Sequence, residues 1–355
     1  MVKPLTSLRF FFALMVLLSH CSSERVAPFF DKHIFQEGYA GVGFFFILSG
    51  FIIAYSYRER ILEGEVSREE FWVARIARIY PLHILTLLMV IFAGLVPFKS
   101  AISWITHFVP NLFLIQSFIP VNHFYYSFNS PSWSLGCEQL FYLLFPFLIS
   151  WLNDSKKLLL ILIPLIIVAL TGMYFTPDEE TITNSIWYVN PITRLPDFLI
   201  GLFLFHIYDK YKNINISYTK ASLLEISSIV LLLAFYLLSG YFSIVYRASI
   251  YYWIPISLTI LIFAFRQGVI SKILSNQYLV RLGEVSFGIY MFHFIIIILF
   301  NKIINETNVS LPFYISFFII IFIVLSVSFL SYHYFEKPIA HLIKSYPKNG
   351  KQIPQ

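Results

Sequence analysis

What most constrains this chain is an alternation: stretches of about 20 mostly apolar residues, broken by short loops that hold most of the lysines and arginines. A stretch of that length crosses the ~30 Å hydrocarbon core of a bilayer as an α-helix. In lipid the backbone must satisfy its own hydrogen bonds, so helices are the form such segments take. The expected spans are residues 5–21, 39–57, 79–96, 133–152, 158–175, 191–208, 221–240, 250–265, 283–303 and 311–334. Residues 101–120 are apolar but interrupted by His107, Pro110 and Asn111, which marks a re-entrant or interfacial segment. The fold class is therefore an all-α integral membrane protein, a polytopic bundle of about 10 transmembrane helices, 11 if 101–120 crosses. Residues 1–340 form one transmembrane domain, and 341–355 a polar cytoplasmic tail.

Only 12% of the residues are charged, against about 25% in soluble domains, which leaves no room for a second, water-soluble domain. The net charge of +6 is for the same reason no signal of nucleic-acid binding; the basic residues set topology and face anionic lipid headgroups. With the N-terminus inside and 101–120 not crossing, Arg58, Arg60, Arg68, Arg75 and Arg78 are cytoplasmic, as are Lys210, Lys212 and Lys220. The opposite loop, 176–187, carries Asp178, Glu179 and Glu180 and no basic residue. Both termini are then cytoplasmic. The start of the chain superficially suggests a lipoprotein signal ending at Cys21. His20 stands where a small residue is required, though, and Arg9 interrupts the apolar run, so 5–21 is kept as the first span.

Two cysteines, Cys21 and Cys137, make neither a disulfide framework nor a thiolate zinc site, and the histidines fall in no metal-binding spacing. No metal and no permanently bound cofactor is expected. No phosphate-binding G-x-x-x-x-G-K-[ST] loop and no G-x-S-x-G elbow is present.

Ionisable side chains inside spans are costly, and each marks a candidate site. Arg9 and His20, in the first span, share a helix face about 16 Å apart. His20 can instead serve only to hydrogen-bond a neighbouring helix. Small residues at Gly41, Gly43, Ser49 and Gly50 let two helices approach closely. Beyond them Arg75 and Arg78, three apart, point the same way and suit a phosphate, or else a plain positive-inside anchor. The fourth span opens on Trp133 and Ser134 and carries Glu138, with Ser134 and Tyr142 on its face; Ser130 or Ser132 can cap it. Near His20, Glu138 would orient the imidazole and raise its basicity; alone, it caps or pairs structurally. Arg194 and Asp197 are either an ion pair or contacts to a polar substrate. Ser286, Tyr290 and His293 form one polar stripe on the ninth span, for interhelical hydrogen bonds or for chemistry. Residues 332–338 read as an interfacial anchor.

Taken in order, these motifs resemble the membrane-bound acyltransferase family 3 over nearly the whole chain. They are Leu8-Arg9 through His20, Gly41 through Phe51, Arg75-x-x-Arg78, Trp133-Ser134-Leu135-x-x-Glu138, Arg194-x-x-Asp197-Phe198-x-x-Gly201, Ser286-x-x-x-Tyr290-x-x-His293 and Glu336-x-Pro338. The resemblance implies an O-acyltransferase of sugars in surface polysaccharides and lipopolysaccharide, in a bacterial inner membrane. Its co-substrate would be an acyl-CoA, acetyl-CoA in the usual case, and its acceptor a lipid-linked or polymeric glycan across the membrane. It marks His20 as catalytic, Arg75 and Arg78 as the donor-phosphate site, and Glu138 as a second essential group. Arg9 would sit beside the donor path or stabilise an oxyanion. Phe287 and Asp197 depart from the family pattern, where tyrosine and glutamate are commoner. The competing reading is a transporter or flippase for a lipid-linked sugar, which would favour internal repeats that the sequence does not show.

Overall fold

The computed structural model describes residues 2–21, 35–96, 98, 100–153, 155–307 and 309–345. All regular structure among them is helical. The helices are α1 (Lys3–His20), α2 (Gly38–Leu62), α3 (Arg68–Phe92), α4 (Ala101–Leu112), α5 (Asn122–Tyr125), α6 (Trp133–Leu148), α7 (Ser155–Phe175), α8 (Glu180–Thr183) and α9 (Leu195–Tyr211). They continue as α10 (Tyr218–Leu238), α11 (Ile244–Arg247), α12 (Trp253–Phe265), α13 (Val269–Leu274), α14 (Gln277–Glu284), α15 (Ser286–Thr307), α16 (Phe313–Ser331) and α17 (Lys337–Ser345).

Seven of the described helices are long and apolar enough to cross a membrane: those containing α2, α3, α6, α7, α10, α15 and α16. The count of about ten is not reached, for local reasons. Helix α1 carries Lys3, Arg9 and His20 within 18 residues. Helix α9 is 17 residues long and α12 only 13. Their polar or short character goes with their position, because all three pack on α2 at the centre. The most apolar window of α2 is 72% buried, whereas those of α7, α10 and α16 are 22%, 17% and 22% buried and turn most of their apolar surface outward. An apolar outer surface needs lipid to cover it.

The small residues of α2 set how the bundle closes. Gly50 lies against Gly201 of α9 so tightly that a methyl group on either would collide with backbone, the Phe198 carbonyl in one case and the Ile47 carbonyl in the other. The charged stretch between α2 and α3 folds as a cap. Ser67 Oγ accepts from Glu70 N (3.2 Å), and Glu70 Oε2 accepts from Ser67 N (2.7 Å). This capping box starts α3 eleven residues before the expected span, so Arg75 and Arg78 lie well inside a regular helix.

Helix α4 has 12 residues and reaches about 18 Å, too short to cross. Buried polar bonds pin the reversal around it. His83 Nε2 donates to the Asn111 carbonyl (2.9 Å), and Asn111 Nδ2 donates to Ser127 Oγ (2.6 Å). Gln116 Nε2 donates to Ser132 Oγ (3.2 Å). Neither Ser130 nor Ser132 caps α6 as expected. A tight turn over Ser130–Ser132 runs straight into the helix, which leaves Ser132 with helical dihedrals and its hydroxyl on Gln116.

Candidate active site

Two adjoining cavities, with about 600 and 420 Å³ of empty space, share Arg9, Phe45, Glu138 and Phe287 in their walls. The first is also lined by Arg75, Arg78 and Tyr142, the second by Ser134, Ser286 and Tyr290. Together they make a path between α1, α2, α3, α6 and α15, with Arg75 and Arg78 at one end and Tyr290 at the other.

Arg75 Nη2 donates to Tyr57 Oη (2.9 Å), and its guanidinium lies over the rings of Tyr57, Phe71 and Tyr142 at 4.9, 5.8 and 5.8 Å. Arg78 lies over Phe287 at 5.5 Å. Aromatic faces hold the planar groups in place without neutralising them. Among the described residues neither Arg9 nor Arg78 has a carboxylate within ion-pair distance; Glu138 and Glu336 lie within longer electrostatic reach of both. Tyr142 Oη donates to Glu138 Oε2 (2.6 Å), one helical turn along α6.

Beyond Tyr290 the character changes from charge to imidazole. Tyr290 Oη donates to the Pro131 carbonyl (3.2 Å), the carbonyl that Ser134 Oγ also donates to (3.0 Å). His293 is fully buried, with Nδ1 2.6 Å from the Tyr290 carbonyl. His20, exposed at the end of α1, has Nδ1 2.8 Å from the Val16 carbonyl. A carbonyl only accepts, so both rings carry their hydrogen on Nδ1 and present Nε2 as a lone pair. The ring centroids are 4.9 Å apart, edge to face, and Phe294 closes the other side of His20 at 5.6 Å. His293 Nε2 has no hydrogen-bond partner among the described residues.

The expected partnership of His20 with Glu138 needs correcting. The charged neighbours of Glu138 are Arg9, Arg78 and Arg75, which puts it at the level of Arg9. Arg9 and His20 are about 16 Å apart along α1, beyond any carboxylate–imidazole bond. The partner of His20 is His293, from the stripe that sequence periodicity left open between packing and chemistry. Trp133 is buried edge-on to Phe46 and against Tyr188, a wall of the bundle.

Arg194 and Asp197 lie outside the path. Both side chains are fully buried and 3.2 Å apart. Arg194 Nη1 donates to the Ala248 carbonyl (2.9 Å), Trp253 Nε1 donates to Asp197 Oδ1 (3.0 Å), and the guanidinium lies over Phe46. The pair ties α9 to α12 and α2. Arg194→Ala is therefore expected to destabilise the protein by about 3–5 kcal/mol, because it strands a buried carboxylate, while Arg194→Met/Asp197→Leu together cost far less. Thermal unfolding in detergent checks this. A substrate contact would instead lose activity at unchanged stability in either variant.

Glu336 and Lys344 escape the sequence reading. The anchor expected at 332–338 buries Glu336, which accepts from Ser331 Oγ (3.3 Å) and lies within electrostatic reach of Arg78 and Arg9. Helix α17 packs on α3 and brings Lys344 within reach of Arg75 and Arg78. The Glu336-x-Pro338 motif was a signal for the first; nothing in the sequence signals the second.

The family model described as an acyltransferase domain matches residues 4–333. The chain belongs to acyltransferase family 3. Acyltransferase MdmB of Streptomyces mycarofaciens is 32% identical over 325 residues, which cover 83% of this chain and 79% of MdmB. The O-acetyltransferase OatA of Staphylococcus aureus strain NCTC 8325 is 27% identical over 353 residues, 94% of this chain but 56% of OatA. The chain thus spans little more than half of the staphylococcal relative. No solved structure matches. With seven helices able to cross a bilayer, this member of the acyltransferase family is a multi-pass membrane protein.

Proposed function

We propose that the protein takes an acyl group, acetyl in the first instance, from acyl-CoA at the Arg75/Arg78 end of the path. It delivers that group to a sugar hydroxyl at the His20 end. The observation that carries this reading is the cavity pair itself, with Arg75 and Arg78 at one end, Arg9 and Glu138 in the shared wall and the imidazole pair past the other end. Arg75 and Arg78 suit the phosphates of coenzyme A, and an extended pantetheine arm matches a narrow path past Arg9, Glu138 and Phe287. The names of MdmB and OatA support acyl transfer, and that of OatA supports acetyl on oxygen.

In this mechanism the acceptor hydroxyl gives its proton to His20 Nε2 as its oxygen attacks the thioester carbonyl. The tetrahedral intermediate collapses with cleavage of the carbon–sulfur bond. The coenzyme A thiolate then takes the proton back from His20, and the products are the O-acyl sugar and the free thiol. His293, edge to face with the ring at 4.9 Å, steadies the imidazolium and keeps it aimed at the acceptor. Arg9 stands too far from His20 to hold the oxyanion, so it lies beside the donor path. The positive-inside pattern of the loop charges supports a donor end in the cytoplasm and an acceptor end across the membrane.

The test is purified protein in detergent with acetyl-labelled acetyl-CoA and a cell-envelope glycan. Label is expected to pass to the glycan in an ester that mild base releases, with one thiol freed for each acetyl moved. If the protein neither binds nor cleaves acetyl-CoA or longer acyl-CoA donors, the reading fails and the lipid-linked-sugar transporter replaces it.

A further inference from the structure

The short elements α5 and α8 enclose an open bowl of about 720 Å³, lined by Asn122, His123, Tyr126, Glu180 and Asn184 among others. None of its lining residues is a lysine or arginine, unlike the donor path. We propose that this bowl is the acceptor subsite and takes a neutral, hydroxyl-rich saccharide; the proposal rests on the acyltransferase reading above.

A methyl group on Gly38 would collide with Ser19 Oγ, so the first turn of α2 lies beside the last turn of α1, where His20 stands. Tyr39, the next residue, packs edge-to-face on Tyr188 at 4.8 Å and is within electrostatic reach of Glu180. Tyr126 in the bowl is within reach of Tyr39, Glu180 and Tyr290. Tyr290 is one turn from His293. A band of tyrosines, Tyr39, Tyr126, Tyr188 and Tyr290, therefore joins the bowl to the imidazole pair.

The lining of the bowl is rich in hydrogen-bond acceptors. Asn184 is 9% exposed, and its Oδ1 has no hydrogen-bond partner among the described residues. A buried amide oxygen left without a donor calls for one, and a sugar hydroxyl supplies it once the Asn184 side chain turns into the bowl. His123 is set up in the same sense. His107 Nδ1 lies 2.7 Å from the Ser103 carbonyl and so carries the hydrogen. His107 Nε2 then accepts from His123 Nδ1 at 3.2 Å, which leaves His123 Nε2 as a second acceptor. His107 is stacked between Phe98 and Phe124 at 4.2 and 4.1 Å, so the relay is fixed. Glu180 adds a carboxylate, and Tyr126 a ring on which a pyranose face can rest. Three acceptors with no cation select hydroxyl donors and repel phosphate. The neighbouring acids are already engaged: Asp178 Oδ1 accepts from Ser243 Oγ and Ile244 N, and Glu37 is paired with Arg247.

The test uses the full-length protein in detergent with a panel of neutral methyl glycosides, and binding is followed by saturation-transfer NMR without any acyl donor. Binding of labelled acetyl-CoA to the same samples reports folding and the donor site. Glu180→Gln changes an exposed side chain and Asn184→Ala removes the orphan carbonyl. Each is expected to weaken glycoside binding about tenfold and to raise the acceptor KM of acetyl transfer by a similar factor, with kcat less affected. The proposal is overturned if the whole panel fails to bind wild type, or if both variants bind it as wild type does. Glycoside binding that Glu180→Gln weakens, in a protein that never cleaves acyl-CoA, would uphold the bowl and sink the acyltransferase mechanism instead.

Discussion

Replacing His20 by alanine is expected to lower acetyl transfer by about 10²–10⁴-fold with donor binding retained, the range for removing a general base. The geometry makes the loss fall on kcat. Nδ1 is committed to the Val16 carbonyl, so Nε2 is the one nitrogen free for the acceptor hydroxyl. His293→Ala should give a smaller loss, about tenfold to 10²-fold, again in kcat. His293 acts on the imidazole and not on the sugar, so both KM values should stay near wild type. His293→Gln keeps an acceptor near the position of Nε2 and should recover part of the rate; a purely packing role would predict no such recovery. An acid quench during turnover separates direct attack from an acyl-imidazole, since only the latter leaves label on the protein. Should His20→Ala transfer acetyl at the wild-type rate, the proposed chemistry is wrong.

The roles of His293 and Glu138 show what could be read from the sequence and what could not. Spacing along a helix fixes which side chains share a face, and Ser286, Tyr290 and His293 do share one. It does not say which helix that face meets. Glu138 and His20 are both rare in a membrane, and rarity suggested a pair. The fold puts one at the level of Arg9 and the other about 16 Å further along α1. Arg75 and Arg78 were legible because their relation is local, three residues on one helix. Arg194 and Asp197 were equally local, and spacing left open whether the pair was structural. What decides is the surroundings contributed by α2, α12 and Ala248 at the end of α11, the last more than 50 positions away in sequence. The segment 101–120 was legible as an interruption from its proline and polar residues. How it folds back was not, because the bond between His107 and His123 closes across 16 positions through an irregular turn.

The donor end gives the second large effect. Arg75→Ala/Arg78→Ala is expected to raise the KM for acetyl-CoA by about 10²-fold, since charge-assisted contacts to phosphate are worth roughly 1.5–3 kcal/mol each and the two share one ligand. The two arginines should differ singly. Arg75 is held by Tyr57 and three aromatic faces, so Arg75→Lys keeps the charge but forfeits the stacking and the fixed fork, and should recover little. Arg78 has one ring beneath it, and Arg78→Lys should recover more. Lys344 supplies a further cation from α17, so Lys344→Ala should add a rise in KM of about twofold to fivefold, on the order of one partly exposed charge contact. Titration of labelled acetyl-CoA onto the variants, alongside dephospho-coenzyme A as competitor, reads these effects. If the double variant binds acetyl-CoA as wild type does, the arginines serve only as a positive-inside anchor and the donor must enter elsewhere. The wall they occupy speaks against that. A residue that only fixes topology can lie anywhere on the surface of a cytoplasmic loop, whereas these two border an internal cavity with Arg9 and leave their charge facing it.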